Sequence, residues 1–358
     1  MANVFESSKV VSLFKDERVL YPDFVPDVLP FRDEEVSELV FCLKPASIGR
    51  KPTNVFVFGK PGTGKTVTLK YVLNELKDYS DRAKGIYINC FEYSSKQSIL
   101  ARIANILGVA VPTRGVSSQE VFLRIIAVMK TTKVIPIIIF DEAEQLLSDD
   151  STKDILYDLS RLPEQQKVLL GLVFISNDSF FLSNIDDRVK SSLQCSKIPF
   201  EPYTVPELKE ILLARTKFAF FDYSLDKEVI PLCAAHAFKM GGDSRVALSV
   251  LLKAGRLAER KNSKTVSIVH VRASFLEEKP VKQEVTSNLS RQEKIILDYL
   301  STLSKKEAES GELYKKFEGE YSDRSIRLAI ALLKEKKLVS CKQVKKGNLF
   351  TRLIKKVN

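Results

Sequence analysis

The chain has 358 residues, 44% of them hydrophobic and 28% charged, the balance of a globular protein with two or three domains. That composition excludes a collagen-like repeat, low-complexity disorder and a disulfide-stapled miniprotein. Lysine and arginine outnumber aspartate and glutamate by 56 to 45, a net charge of +11, which suits a polyanionic partner, either nucleic acid or an acidic membrane surface.

The longest apolar stretch, Val134 to Phe140, is far too short to cross a bilayer. The opening Met-Ala-Asn-Val-Phe-Glu lacks the basic-then-apolar order of a secretion signal. A cytoplasmic protein with no membrane partner is expected. Cys42, Cys90, Cys195, Cys233 and Cys341 are odd in number and scattered, and His236 and His270 are the only histidines. Neither a disulfide framework nor a zinc site is expected, and each cysteine reads as a small buried thiol in or beside an apolar segment.

The first half alternates β-branched runs with helical patterns, which predicts an α/β domain with a buried parallel sheet and helices on both faces. The first run, Asn54–Gly59, leads into Gly59-Lys-Pro-Gly-Thr-Gly-Lys65-Thr66 and then the helical stretch Val67 to Leu76. This is the phosphate-loop pattern in the context it requires. Gly59, Gly62 and Gly64 let the main chain curl, with Pro61 and Thr63 between them, so that successive N–H groups point at phosphate oxygens. Lys65 is expected on the β/γ-phosphates of ATP or ADP, and Thr66 on Mg²⁺.

The second run, Ile86–Cys90, is an additional strand ahead of the acidic partner of the loop. Phe91 to Lys133 then holds two amphipathic helices, carrying Ile99, Ile103, Ile106 and Leu107, and Val121, Phe122, Ile125, Ile126 and Met129. The third run, Ile135–Phe140, delivers Asp141 and Glu142 at its C-terminal end, the edge where ligands collect in parallel sheets. Asp141 is expected to hold Mg²⁺ with Thr66. Glu142 is placed to orient an attacking water, so slow ATP hydrolysis to ADP and phosphate is the expected chemistry. The fourth run, Leu169–Ile175, puts Asn177 on the same edge, within reach of a γ-phosphate or the water. Arg188 and Arg245 follow as isolated arginines, read from the residues alone either as solvated surface groups or as γ-phosphate contacts.

Beyond Tyr203 the strand signal fades, and Pro206–Phe218, Lys227–Phe238 and Asp243–Glu259 predict a small helical domain. Glu278–Asn288 is polar, contains a proline and lacks periodicity, as a linker does. Residues 289 to 358 then carry 17 Lys and Arg against 9 Asp and Glu, a net +8. Their order is that of a winged helix: helices at Arg291–Leu303, Ser310–Phe317 and Asp323–Lys337, then a hairpin of Val339–Val344 and Leu349–Ile354. The third helix buries Ile326, Ile330 and Leu333 and turns Arg324, Arg327 and Lys334 to another face, which suits a major groove. Lys342, Lys345, Lys346 and Arg352 on the wing are expected on phosphates. A protein-binding winged helix with a solvated basic surface is the alternative.

Together these segments resemble the AAA+ ATPases, and among them the archaeal origin-recognition and cell-division-control initiators, relatives of the eukaryotic origin recognition complex. The likeness spans nearly the whole chain. It rests on Val25-Pro-Asp-Val-Leu-Pro30-Phe-Arg32, the phosphate loop, Phe140-Asp-Glu-Ala143, Ile175-Ser-Asn-Asp178, Asp187-Arg-Val-Lys-Ser-Ser-Leu193, Pro202-Tyr-Thr204 with Ile211-Leu-Leu-Ala-Arg215, and Gly242-Asp-Ser-Arg245. Departures are Asp186-Asp187, where the family more often has Asp-Pro, and Phe140, where an aliphatic residue is common.

The expected domains are an AAA+ α/β nucleotide-binding domain over 1–200, a helical lid over 201–280 and a winged-helix DNA-binding domain over 289–358. The resemblance implies that Asn177 is the first sensor, Arg245 the second sensor on the lid, and Arg188 an arginine finger near a subunit boundary. It also implies that Tyr203 and Arg215 are further nucleotide contacts, that Val28 and Arg32 lie on the adenine side, and that Arg114 is a DNA phosphate contact in an initiator-specific insertion. The implied function is an ATP-dependent initiator that binds double-stranded origin DNA and recruits and loads the MCM helicase. Paralogous initiators are further partners, and the protein associates with the chromosome in the cytoplasm. Two other readings stay open: a DNA-binding protein that keeps ATP or ADP as a structural ligand with negligible turnover, and an AAA+ regulator or transposition-type ATPase.

Overall fold

Five parallel strands form the centre of the first of two compact units, Met1–Ser274 and Phe275–Asn358, in the computed structural model. The structure describes residues 12–110, 115–148, 150–277, 290–303, 307–317, 321–335, 338–346 and 349–356. The strands are β1 (Val55–Gly59), β2 (Ala83–Asn89), β3 (Ile135–Asp141), β4 (Gly171–Ser176) and β5 (Ser196–Phe200). They lie in the order β2-β3-β4-β1-β5, each neighbouring pair parallel. Phe58 stands opposite Ser176, Gly59 opposite Phe200 and Asn89 opposite Asp141. The ends of all five strands therefore meet along one edge, and β1, carrying the phosphate loop, sits between β4 and β5.

Helices cover both faces. α1 (Asp33–Leu43) and α2 (Lys65–Tyr79) pack against Val55, Val57, Ile139 and Val173. α3 (Lys96–Leu107), α4 (Ser118–Thr132), α5 (Asp150–Gln166) and α6 (Asp187–Leu193) pack against Phe56, Ile138, Phe140 and Phe174. Alternate residues of each strand thus enter opposite cores. This is why β3, buried at every position, reads as an unbroken apolar run. Phe140 fills the second core, its ring 5.7 Å from that of Phe174.

β5 was not among the runs read from the sequence. Only Ile198 and Phe200 of its five residues are buried, and an edge strand with Lys197 and Pro199 exposed shows neither an apolar run nor strong β propensity.

Four helices follow the sheet: α7 (Val205–Ala219), α8 (Val229–Lys239), α9 (Ser244–Arg260) and α10 (Ile268–Glu277). α7 opens with a Thr204–Glu207 capping box and a proline in its first turn. α9 buries Ala247, Leu248, Val250, Leu251, Ala254 and Ala258. The segment ahead of α1 is tied to these helices. The Lys15 N–H donates to the Ala219 carbonyl at 2.8 Å, Phe14 packs on Phe220 at 4.5 Å, and Arg256 pairs with Glu17 at 2.9 Å.

In the second unit α11 (Arg291–Thr302), β6 (Glu307–Glu309), α12 (Ser310–Lys316), α13 (Asp323–Glu335), β7 (Val339–Lys346) and β8 (Leu349–Lys356) follow in winged-helix order. The antiparallel sheet runs β6-β8-β7. Leu300, Leu313, Ile326, Leu333, Val339 and Ile354 share its core. The short β6, Glu-Ala-Glu, carries no sequence signal of a strand and forms by pairing with β8. The linker expected at Glu278–Asn288 lies outside the described residues. Cys42, Cys90 and Cys233 are buried, Cys195 and Cys341 partly so, and all five are free thiols. No helix among the described residues is long and apolar enough to cross a membrane.

Candidate nucleotide and nucleic-acid sites

β1 runs into a loop that turns into α2 at Lys65, with Gly62 and Gly64 in the left-handed region, φ +74° and +92°. Glycine is required there twice over: the backbone conformation disfavours a side chain, and any Cβ at Gly62 would strike the Asp243 carboxylate, while one at Gly64 would lie 2.6 Å from the Tyr203 hydroxyl. The Lys65 ammonium folds back into the loop. It donates to the Gly59 carbonyl at 2.8 Å, the Lys60 carbonyl at 2.9 Å and Asn177 Oδ1 at 2.9 Å.

These three partners are uncharged. Burial pulls the ammonium below the usual lysine range, and Glu142 and Asp141 pull the other way from beyond hydrogen-bond reach. A buried cation with neutral contacts, beside the free N–H groups that open a helix, fits a polyanionic ligand such as a nucleotide phosphate.

Across the loop, Thr66 Oγ1 donates to Asp141 Oδ2 at 2.7 Å, bridging α2 to the end of β3. The same carboxylate oxygen accepts the Tyr87 hydroxyl from β2 at 2.6 Å, and Asp141 Oδ1 accepts the Glu142 N–H at 2.9 Å. A hydroxyl and a carboxylate side by side form the hard oxygen set that suits Mg²⁺. Burial and the Asp141 carboxylate hold the Tyr87 phenol far above its ordinary range, so it is a donor.

Glu142 follows in a left-handed backbone, φ +54°. Its Oε2 accepts Asn177 Nδ2 at 2.9 Å, so Asn177 at the end of β4 links the lysine to the glutamate. Burial, then the neighbouring Glu144 and Asp141 carboxylates, push the Glu142 carboxyl above its usual value.

The lid meets the loop through the start of α9. Ser244 donates from its main-chain N at 3.1 Å and its hydroxyl at 2.8 Å to the Gly62 carbonyl. Asp243 caps α9 by accepting the Arg245 N–H at 2.8 Å, and it also pairs with the Arg245 guanidinium at 3.1 Å. A cleft of about 510 Å³ lies between loop, sheet edge and lid, lined by Lys65, Thr66, Asp141, Glu142, Asn177 and Arg245 among others.

A second cleft of about 500 Å³ shares Phe24, Gly64, Val67, Arg215, Ser244 and Leu248 with the first and adds Val28, Tyr203 and Ile211 among others. It is the more apolar of the two in its lining residues, as a base and ribose would need. Arg215 lines both clefts, with its guanidinium 4.8 Å over the Phe24 ring and donating to the Val19 and Phe24 carbonyls. Burial lowers its pKa to about 10.

The structure thus gathers Pro61, Gly62, Gly64, Lys65, Thr66, Asp141, Glu142, Asn177, Arg215 and Arg245 around one cleft, and Val28 and Tyr203 around the other. Three expected contacts lie elsewhere. Arg32 stands behind the loop: it donates to the Thr63 carbonyl at 2.9 Å and the Glu201 carbonyl at 2.8 Å, pairs with Glu35 at 2.9 Å and lies over the Tyr203 ring at 4.1 Å. Its guanidinium is engaged at every nitrogen, and two of these bonds, both to the Thr63 carbonyl, brace the loop. Thr63 is buried with its hydroxyl on the Lys60 carbonyl, and Gly59 closes β1 against Phe200.

Arg188 lines neither cleft; its side chain is 75% exposed and pairs with Asp186 at 3.0 Å. Tyr87, Asp243, Ser244 and Phe24 complete the site and were missed. Only Asp243 and Ser244 had a signal, inside the Gly242-Asp-Ser-Arg245 run.

Of the nucleic-acid candidates, Arg114 lies outside the described residues, between α3 and α4. Arg324, Arg327 and Lys334 are exposed along α13, opposite the buried Ile326, Ile330 and Leu333. The Arg327 guanidinium sits 5.5 Å from the Tyr314 ring. Lys342, Lys345 and Lys346 fall on β7 and Arg352 on β8, with Lys342 opposite Leu353 and Gln343 opposite Arg352.

Comparison with known proteins agrees with this architecture. A family model described as an AAA domain matches residues 49–181, and one described as a Cdc6 AAA+ ATPase-type lid domain matches residues 209–275. ORC1-type DNA replication protein 1 of Aeropyrum pernix is 36% identical over 326 residues, covering 88% of this chain and 82% of that protein. The ORC1-type DNA replication protein of Thermococcus kodakarensis is 38% identical over 315 residues, 84% of this chain and 76% of that one. The solved structure of the Aeropyrum pernix ORC1 protein in complex with DNA superposes with a TM-score of 0.78 at 34% identity, covering 98% of this chain and 94% of that one. With its phosphate loop, sheet order and lid accounted for, the chain belongs to the family of ORC1-type DNA replication proteins.

Proposed function

We propose that this protein is an ATP-dependent replication initiator that binds ATP or ADP with Mg²⁺ between sheet and lid, grips origin duplex DNA and helps to recruit and load the MCM helicase. The observation that carries the reading is the buried, neutrally partnered Lys65 beside the Thr66–Asp141 pair, in a chain whose residues 289 to 358 hold a net +8. DNA binding is carried over from the Aeropyrum pernix relative, which was solved in complex with DNA. MCM and paralogous initiators as partners, and association with the chromosome, rest on the family alone.

Main-chain N–H groups of Gly62, Gly64, Lys65 and Thr66 and the Lys65 ammonium would hold the phosphates, and Thr66 and Asp141 the cation. Magnesium, when bound, neutralises phosphate charge and fixes the orientation of the transferring group. Glu142 is the residue for orienting water, and Asn177 fixes it relative to Lys65. Arg245 reports the γ-phosphate from the lid. Arg188, being exposed and absent from the lining of its own chain's cleft, is suited to act on a neighbouring copy. The two DNA contacts in this reading are the winged helix, through Arg324, Arg327, Lys342, Lys345, Lys346 and Arg352, and the initiator-specific insertion through Arg114. Changing Lys342, Lys345 and Lys346 together to Glu is expected to weaken duplex binding at all sequences by roughly tenfold or more. Unchanged affinity at physiological salt in fluorescence anisotropy would remove the wing from the account.

A second reading, nucleotide as a structural ligand with negligible turnover, is favoured by one feature. Glu142, Arg188 and Arg245 are each engaged within the chain, by Asn177, Asp186 and Asp243. Single-turnover hydrolysis by Glu142→Gln beside the unaltered protein separates the two. A drop of about a hundredfold or more is expected for a working base, whereas identical slow traces would favour the structural ligand.

A further inference from the structure

We propose that Tyr87 is a positioning residue for the divalent-cation site, its hydroxyl fixing the Asp141 carboxylate for Mg²⁺. The inference rests on the nucleotide-binding reading above and adds a residue to it.

Three donors converge on Asp141. Thr66 Oγ1 and the Tyr87 hydroxyl reach Oδ2 at 2.7 and 2.6 Å, and the Glu142 N–H reaches Oδ1 at 2.9 Å. A carboxylate oxygen has two lone pairs. Oδ2 is therefore filled, and Oδ1 alone retains acceptor capacity toward a cation or a water on it. Without the phenol, Oδ2 would have one donor and the carboxylate could turn about its last bond.

The tyrosine is itself held on both sides. Its strand pairs with β3 in register, Tyr87 opposite Ile139 and Asn89 opposite Asp141, and Lys70, one turn beyond Thr66 on α2, places its ammonium 4.8 Å from the ring. The ring therefore spans the two elements that supply the metal-binding pair.

Packing accounts for an aromatic ring at this position, since Tyr87 borders the core under α1 and α2. It does not account for the hydroxyl, which donates to the acid at the cleft that both residues line. Partners that orient metal ligands typically contribute ten- to a hundredfold to metal affinity.

The test is Tyr87→Phe, with binding of fluorescent ADP measured in a Mg²⁺ series and in EDTA, and Mn²⁺ binding to the ADP complex followed by electron paramagnetic resonance. The expected result is a weakening of Mg²⁺ and Mn²⁺ affinity by about tenfold, with ADP affinity in EDTA unchanged. In an Asp141→Asn background the same substitution should have no further effect on the Mg²⁺ response. Equal losses with and without metal would mean that the hydroxyl supports the fold of the site and not the cation, and would overturn the inference, as would an unaltered Mg²⁺ response. An unaltered protein that binds ADP without any response to Mg²⁺ would instead overturn the cation site itself. Thermal unfolding in EDTA checks that the variant is folded.

Discussion

Glu142 shows how a residue at such a site stands at odds with the fold around it. Its backbone is left-handed, φ +54°, and its carboxyl is pushed upward by burial and by two neighbouring acids. A folded-state pKa above the unfolded value gives stability that is complete below the ordinary carboxylate range and is lost as pH rises through the folded pKa. Near neutral pH the ionised group is therefore a net burden on the fold. Glu142→Gln keeps an acceptor for Asn177 and removes that burden. Thermal unfolding should show a gain of less than about 1 kcal/mol at pH 8, small because the group is partly open to water, and no gain at pH 4. A gain that is the same at both pH values would contradict the electrostatic origin. The spacing of loop and acidic pair made Lys65, Thr66, Asp141 and Glu142 legible. Tyr87 was not legible, because its partner lies 54 residues away and meets it only through the register of β2 on β3.

At the scale of elements, α9 joins the lid to the loop through its first turn. Asp243 serves three ends at once: it caps the helix, holds the Arg245 guanidinium, and lies where any side chain at Gly62 would collide with it. The same Asp-x-Arg fork recurs at Asp16–Arg18 and Asp186–Arg188, so the geometry is a local property of these sequences. Asp243→Ala is expected to lower stability by about 1 kcal/mol through the lost cap and to release Arg245. Asp243→Asn should keep most of the cap while weakening the ion pair. If nucleotide affinity changes in both variants, the pair governs Arg245. If it changes in Ala alone, the cap does. The strands buried on both faces, β3 and β4, could be read because each is apolar up to the polar residue that ends it, Asp141 or Ser176, and α7 to α9 because their apolar stripes recur at helical spacing. β5 and β6 could not, since one is half polar with a proline and the other is three residues long; each is defined by the strand beside it.

At the scale of the whole molecule, the charge distribution carries the functional division. The net +8 of residues 289 to 358 leaves only +3 for the remaining 288 residues, so the phosphate loop sits in a nearly balanced domain and the basic excess in a separate one. That division was plain from the sequence, as was winged-helix order, because charge counting and helix periodicity need no tertiary contacts. The arrangement predicts DNA binding that falls steeply with salt, with sequence preference added by a few base contacts. Its most direct test is fluorescence anisotropy of candidate origin duplex against scrambled duplex, across a salt series, with ADP or a nonhydrolysable ATP analogue present. A nucleotide-dependent preference for origin duplex that persists as salt rises is the expected result. Equal, steeply salt-sensitive binding to both duplexes, indifferent to nucleotide, would contradict an initiator and leave a general DNA-associated ATPase.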